Sequence, residues 1–369
     1  MVLSLDKKIS LLKQVGEEII ELDELRDMIK WKDDNDKEIL AYDGFEPSGN
    51  IHIAQGLLRT INVNKLTKCG IKFIFLLADW HAAANQKFGG DLTIIKKVAD
   101  FFIELWKVCG MDLANVEFKY ASDLVKDPNY WEMVLKIGIN TTLNRVKRCT
   151  QIMGRSESDK LYSSQILYPL MQCADIFYLN VDICQLGLDQ RKVNMLAREV
   201  SNLFNRPKPI SIHHHMLMGL DKPPDTDLTG VDRAVQLKMS KSDPDTAIFM
   251  LDSPEDVKRK ISKAYCPPKE ISENPVLDYC KYILFELINI FKIERPQKYG
   301  GNVEYTSYNE LEKDYAEGKL NPPDLKPAII KYLNQLLDPI RNHFENDKRA
   351  KELYSFVKTE YKKYQAKQK

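Results

Sequence analysis

The sequence lacks any apolar run of membrane-spanning length, any internal repeat and any low-complexity segment. Its seven cysteines, Cys69, Cys109, Cys149, Cys173, Cys184, Cys266 and Cys280, include no CxxC pair. An odd, scattered set, mostly inside apolar runs, argues against a disulfide framework and a cysteine zinc site, and predicts reduced thiols in a cytosolic protein. Charge of one sign is also missing: a formal net charge of +1 over 369 residues gives no global field, so nucleic-acid binding has to come from local patches. The start Met1-Val2-Leu3-Ser4-Leu5-Asp6-Lys7-Lys8 has no signal-peptide core, which makes a cytoplasmic location the expectation. The consecutive residues His213, His214 and His215 point in different directions, and no carboxylate or cysteine stands at ligand spacing from them, so no protein-bound metal is expected.

With 44% hydrophobic and 29% charged residues the composition is that of a soluble globular protein, and the length predicts two domains. The chain is organised around the stretch from Tyr42 to Gly56, which reads as strand, turn, helix. Glu38 to Tyr42 is a short apolar run suited to a buried strand, and Pro47-Ser48-Gly49-Asn50 supplies the breakers that end it. Ile53, Gly56, Leu57, Thr60 and Ile61 then recur at helical spacing, which puts His52 in the first helical turn. A helix start after a glycine-bearing turn offers free backbone N–H groups and the positive end of the dipole to a phosphate. Far downstream, Leu237-Lys238-Met239-Ser240-Lys241-Ser242-Asp243-Pro244 sets two ammonium groups and two hydroxyls in a polar segment without periodicity, expected to be a mobile loop.

In chain order, residues 4–31 read as an amphipathic helical pair, and Glu24-Leu25-Arg26 within it as solvated surface. Ile71 to Ala78 is a buried strand ending at Asp79-Trp80-His81, where doubly wound sheets place ligands. A helix over Asp91–Val108 and a strand over Val116–Tyr120 follow, and this alternation argues for a parallel sheet with crossover helices. From Asn129 to Met153 the pattern is helical and turns basic, with Lys136, Arg145, Lys147, Arg148 and then Arg155. Tyr168, Gln172 and Asp175 are spaced by four and three, so they share one helix face, and their apolar neighbours predict that this face is buried. Buried polar groups need partners, and a ligand is one source of them. Gln190 and Arg191 begin a further helix. Beyond residue 252 the pattern is nearly all helical, and the basic tail from Lys358 to Lys369 is expected to fray.

The two stretches around His52 and Lys238 together resemble the paired signatures of the class I aminoacyl-tRNA synthetases, His-Ile-Gly-His and Lys-Met-Ser-Lys-Ser. The second match is complete, whereas the first keeps His52 and Ile53 but has Ala54 and Gln55 in the last two places. With Tyr42, Tyr168, Gln172, Asp175 and Gln190 added, the chain is similar over nearly its whole length to the tyrosyl-tRNA synthetases of archaeal and eukaryotic cytosolic type.

That resemblance implies an α/β fold: a Rossmann-like parallel-sheet catalytic domain over residues 1–235, with a helical dimer-interface insertion at about 116–162. A mobile loop and linker would span 236–252, and an all-α anticodon-binding domain 253–369. It further implies that Tyr42 and Asp175 bond the phenolic hydroxyl of tyrosine, that Tyr168, Gln172 and Gln190 hold its ammonium end, and that His81 sits beside the ring. Gly44, Pro47, Gly49, His52 and Gln55, with Lys238, Met239, Ser240, Lys241 and Ser242, would form the ATP site; His52, Lys238 and Lys241 are the catalytic candidates. Arg148 and Arg191 would read the acceptor stem, Tyr299 and Asp324 the anticodon. The implied partners are L-tyrosine, ATP with Mg²⁺ on its phosphates, tRNA(Tyr) and a second copy of the chain, without a membrane. Two other readings are a tryptophanyl-tRNA synthetase, and a catalytically inactive relative kept as an RNA-binding protein.

Overall fold

A computed structural model describes residues 3–154, 160–241 and 243–368, so Arg155 and Ser242 lie outside the described residues. Six short apolar runs form one sheet: β1 (Glu18–Ile20), β2 (Ile39–Phe45), β3 (Ile71–Leu77), β4 (Val116–Tyr120), β5 (Ile183–Gly187) and β6 (Ile210–His214), in spatial order β1-β6-β5-β2-β3-β4. Strands β2 to β6 are mutually parallel, and β1 closes one edge antiparallel, Glu18 opposite His213. The sheet runs outward both ways from the β2–β5 pair, where Tyr42 stands opposite Cys184. In such a sheet the crevice at the carboxyl ends of that central pair is where a ligand fits.

Helices α1 (Leu5–Val15), α2 (Leu22–Asp34), α3 (Arg59–Lys68), α4 (Asp79–Ala84) and α5 (Leu92–Val108) precede β4. Between β4 and β5 lie α6 (Ala121–Leu124), α7 (Pro128–Ile139), α8 (Leu143–Cys149) and α9 (Ser163–Tyr178), and α10 (Arg191–Val200) joins β5 to β6. Asp91 caps α5 by accepting from the N–H groups of Thr93 and Ile94, and its apolar stripe places Phe101, Phe102, Leu105 and Trp106 in the core. The side chains of β2 alternate between two cores: Ala41 packs in the one shared with α1, α3 and α5, Tyr42 in the one shared with α7, α9 and α10.

After β6 come α11 (Gly230–Leu237), α12 (Pro254–Lys263), α13 (Pro275–Tyr279) and α14 (Phe285–Leu287). A small hairpin of β7 (Phe291–Ile293) and β8 (Val303–Tyr305) and then α15 (Tyr308–Glu317), α16 (Pro322–Asn346) and α17 (Lys348–Gln368) complete the chain. The architecture is a Rossmann-like α/β sheet followed by a mainly helical region, and one apolar core continues from Ile9 through Leu77 to Phe344 and Val357.

Several expectations change. The stretch 4–31 contains the edge strand β1 as well as two helices, and Leu25 is fully buried, so Glu24-Leu25-Arg26 is not a continuous surface. The polar stretch before Lys238 is helical as α11. The basic tail, as far as Gln368, is the end of α17, whose Tyr354, Val357, Tyr361 and Tyr364 lie on one face at spacings of three and four; within the tail, Tyr361 bonds the Lys241 carbonyl at 3.2 Å and the Tyr364 ring lies 5.1 Å from that of Phe88. The expected fraying is replaced by packing.

Candidate active site

At the carboxyl ends of β2 and β5 the structure opens a cleft of about 400 Å³. Gly44, Glu46 and Ser48 line one side, His52, Gln55 and Arg59 the floor, Gly187, Asp189 and Gln190 the other side, and Lys238, Met239, Ser240 and Lys241 the rim. Pro47 and Gly49 are not part of the lining. The segment that follows the second signature stretch is pinned to the first: the N–H of Ile53 donates to the Ile248 carbonyl and that of Met250 to Ile51, each at 2.9 Å.

His52 stands one residue before the helical turn, not within it, and pairs with Phe249 in an isolated bridge. Its carbonyl accepts from the N–H groups of Gln55 and Gly56 at 2.9 and 3.0 Å, after which Ala54–Leu58 forms a π turn. The turn therefore offers fewer free N–H groups than the sequence predicts, and the cleft's positive charge falls to its lysines. Burial, reinforced by Lys241 and Lys238, pushes the His52 imidazole well below its usual pKa, so it is neutral.

The loop is rooted by the N–H of Met239 donating to Leu217 at 2.7 Å. Lys238 Nζ reaches Asp189 Oδ2 at 2.7 Å. Lys241 Nζ donates to Ser48 Oγ at 3.2 Å and lies 5.2 Å from the centroid of Phe102. Burial, with Lys87 adding to it, lowers Lys241 to about 7. At the cleft floor, Arg59 sits 3.3 Å from Asp43 and donates to the Gln185 carbonyl at 2.8 Å, with His214 Nδ1 at 3.1 Å. Burial pushes Asp43 up to about 7 against the pull of Arg59. Asp189, Glu46, Lys87, Arg59 and Asp43 were not singled out from the sequence; a single Asp or Arg in an apolar strand or helix carries no spacing signal.

Of the six residues expected around tyrosine, Tyr168 and Gln190 line the cleft, and the other four lie one layer in from it. The layers are connected: the rings of His81 and Tyr168 meet edge-on at 5.0 Å, and Gln172 Nε2 donates to Gln190 Oε1 at 3.1 Å. Gln190 in turn donates to the Ile152 carbonyl at 3.1 Å. Asp175 is held by Tyr130, whose hydroxyl donates to Oδ1 at 2.8 Å, and by His81, whose Nε2 is 3.1 Å from Oδ2 without hydrogen-bond alignment. Burial works against a charged His81, but Asp175, joined by Asp79 and Glu46, holds its pKa above the usual value. Tyr42 is fully buried and its hydroxyl has no hydrogen-bond partner. Burial and the nearby Asp175 keep that hydroxyl protonated, well above the usual tyrosine range. Tyr130 is a residue that sequence reasoning missed.

None of the four residues expected to meet tRNA lines the cleft. Arg148 is exposed near the end of α8. Arg191 is engaged, its Nε 2.9 Å from both carboxylate oxygens of Glu18, which also lies 2.7 Å from His213 Nδ1. Tyr299 is 59% exposed, with Lys298 over its ring at 4.8 Å. Asp324 is the third residue of α16, which begins at Pro322, so Asn321 holds the capping position. Carboxylates do stand beside the histidine run: Glu18 on His213, and Glu17 and Asp278 on His215 at 2.9 and 2.8 Å, each as an ion-pair partner on a different side. Elsewhere, Glu104, His343 and Asp347 bring ligand atoms within 4.8 Å of one another, with His343 2.8 Å from Glu104 and Asp347 accepting from the Ala350 N–H. Among the described residues no helix is long and apolar enough to cross a membrane.

A doubly wound sheet with its cleft at the central strand ends, rimmed by Lys238-Met239-Ser240-Lys241 and floored by His52, is the arrangement of a class I synthetase catalytic domain. Residues 34–338 match the family model described as tRNA synthetases class I (W and Y), and the chain belongs to that family. Within it, the chain is similar to tyrosine enzymes: to Tyrosine–tRNA ligase 1, cytoplasmic, of Arabidopsis thaliana, 47% identical over 96% of this chain and 88% of the relative. The tyrosyl-tRNA synthetase of Pyrococcus horikoshii, solved with L-tyrosine, superposes with a TM-score of 0.87 at 39% identity, over 96% of this chain and all of that one. That of Leishmania major, solved with tyrosinol, gives 0.86 at 43% identity over 98% of this chain, which spans 61% of the Leishmania chain. A tryptophanyl-tRNA synthetase from Aeropyrum pernix shares the fold at 19% identity and a TM-score of 0.64.

Proposed function

We propose that this chain attaches L-tyrosine to tRNA(Tyr) in two steps, through a tyrosyl-adenylate. The observation that carries the choice of amino acid is the unpartnered, fully buried hydroxyl of Tyr42 within electrostatic reach of Asp175. A phenol donates its hydrogen to the carboxylate and accepts from Tyr42 with the same oxygen. An indole N–H only donates, so tryptophan leaves the Tyr42 hydroxyl orphaned, at a cost of about 1–3 kcal/mol. Tyr168, Gln172 and Gln190 hold the ammonium end, and His81 keeps the carboxylate of Asp175 oriented.

In the first step the tyrosine carboxylate oxygen attacks the α-phosphorus of ATP, and the bond from that phosphorus to the bridging oxygen breaks. Pyrophosphate leaves with the electron pair. Lys238 and Lys241 receive the charge that builds on the departing phosphates, while neutral His52 donates a hydrogen bond to them. In the second step the terminal ribose hydroxyl of the tRNA attacks the tyrosyl carbonyl carbon and AMP leaves. No protein nucleophile takes part. ATP is a substrate; the Mg²⁺ it carries neutralises phosphate charge, and the cleft's cationic rim suits the remaining negative charge.

Tyr299 and Asp324 read the anticodon and Arg148 and Arg191 the acceptor stem, Arg191 by exchanging Glu18 for the nucleic acid. The chain acts as a cytoplasmic homodimer. Support for the dimer is the apolar patch on α7 and α8, where Leu135, Ile139 and Leu143 are 62%, 84% and 55% exposed, within the expected insertion. Amino-acid-dependent ATP–pyrophosphate exchange with all twenty amino acids tests the assignment: exchange with tyrosine alone is expected. Exchange with tryptophan instead transfers the chain to the sister specificity, and exchange with none favours an inactive RNA-binding relative.

A further inference from the structure

The last helix reaches back to the cleft. Tyr361 on α17 donates its hydroxyl hydrogen to the backbone carbonyl of Lys241 at 3.2 Å. Its ring covers Gly49 so closely that a Cβ added there would lie 2.5 Å from Cδ2 and Cε2, and Gly49 holds φ +126°. One phenol therefore touches both the turn beside His52 and the backbone of the loop lysine whose Nζ bonds Ser48 of that same turn. The next residues of that helix face extend the attachment, with Tyr364 5.1 Å from Phe88.

We infer that Tyr361 is a positioning residue for adenylate formation, and that α17 is an intramolecular clamp holding the Lys238–Lys241 loop over the phosphate turn. Three observations support this. The Lys241 carbonyl is a backbone acceptor on the loop itself, so the bond fixes the main chain and does not engage the side-chain nitrogen that is to meet phosphate. Tyr361 is only partly buried, so it is not a core residue whose hydroxyl has been tied off by chance. Its helix belongs to the region after residue 252, so docking of that region is coupled to the loop through the Tyr361 side chain.

The inference rests on the proposed role of the loop in gripping phosphate. The C-terminal helix then does more than cover α5, because whatever shifts α17 on α5 changes how often Lys241 stands ready. Preorganised charge contributes most when it needs no rearrangement as the reaction proceeds.

The test uses the full chain, with Tyr361→Phe, Tyr361→Ala and Lys241→Ala in single-turnover adenylate formation, and amide hydrogen exchange across residues 237–241. Tyr361→Ala is expected to slow activation about tenfold, with KM for tyrosine unchanged and with faster exchange centred on the loop. Tyr361→Phe, which keeps the ring on Gly49, is expected to recover part of the rate. A normal rate and normal loop exchange in Tyr361→Ala, or a rate higher than that of the unchanged protein, overturns the clamp. If Lys241→Ala is slow while Tyr361→Ala is normal, the clamp fails and the loop's role stands. If Lys241→Ala is normal, the phosphate reading fails, and the exchange data still decide whether Tyr361 holds the loop.

Discussion

Tyr130 on α7 donates its hydroxyl hydrogen to Oδ1 of Asp175 at 2.8 Å and also reaches the Met171 carbonyl at 3.2 Å. One carboxylate is thus fixed by a tyrosine from one helix and a histidine from another, near a second tyrosine, Tyr42, that has no partner. Such bracing removes the rotational freedom that Asp175 would otherwise lose when a ligand binds.

Tyr42→Phe is expected to lower kcat/KM for tyrosine by about 10–100-fold, the loss of one buried hydrogen bond to a ligand hydroxyl. Phenylalanine, which lacks that hydroxyl, should be affected little. Asp175→Ala should abolish most tyrosine activation, because it also strands Tyr130 and His81. Pyrophosphate exchange with the two amino acids measures both, and an undiminished preference for tyrosine in either variant refutes the pairing.

Lys238→Ala and Lys241→Ala should each lower kcat for activation while leaving KM for tyrosine near its original value. Lys241 has its own pH signature. Burial holds it at about 7 in the free protein, so at pH 8 most of it is neutral, and bound phosphate should restore the charge. ATP binding at pH 8 is therefore expected to take up a proton, measured by calorimetry in buffers of different ionisation enthalpy. Identical uptake by Lys241→Ala assigns the proton elsewhere.

His215 predicts a stability change with pH. Burial alone would depress it, but Asp278 and Glu17 overcome that and raise it to about 9. The folded value exceeds the unfolded one, so its contribution is full below about pH 6.5 and is lost as pH rises through about 9. His215→Ala should cost roughly 2 kcal/mol near pH 6 and flatten the fall in Tm between pH 6.5 and 9. A parallel, merely displaced Tm–pH curve would mean that another group carries the dependence.

Tyr299→Ala and Asp324→Ala are expected to weaken tRNA charging while sparing pyrophosphate exchange. A lost base stack is worth about 1–3 kcal/mol, so charging should fall roughly tenfold or more for Tyr299→Ala. Because Asp324 occupies the third position of α16 and Asn321 the cap, removing its carboxylate loses a favourable dipole contact of about 0.3–1 kcal/mol. Reduced charging that ignores anticodon substitutions would leave Asp324 with that helix role alone.

The parts of the fold legible in the sequence were those with long, regular burial. β2, β3, α5 and α9 each bury an apolar run or stripe, so their patterns are set by local spacing. Three-residue strands are not legible that way: Glu18–Ile20 and Phe291–Ile293 are defined by their partners, and nothing in three residues specifies a partner. The basic tail misled because Lys358, Lys362 and Lys363 dominate its composition while its packing contacts are carried by Tyr361 and Tyr364 among them. In the site, Tyr168, Gln172 and Asp175 stood out as polar groups on an apolar face. Tyr130 did not, because an aromatic residue on a helix reads as core whether or not its hydroxyl has work to do.

The bond from Lys241 to Ser48 joins residues 193 positions apart, with strands β3 to β6 between them in the chain. Contacts of that separation close late in folding, since the intervening chain must already be ordered before they gain anything. The lysine rim should therefore be the last part of the cleft to form after dilution from denaturant, and adenylate synthesis should lag behind the recovery of secondary structure. A nascent chain that has emerged only as far as β6 already holds much of the amino-acid pocket, yet has no means of moving a phosphate.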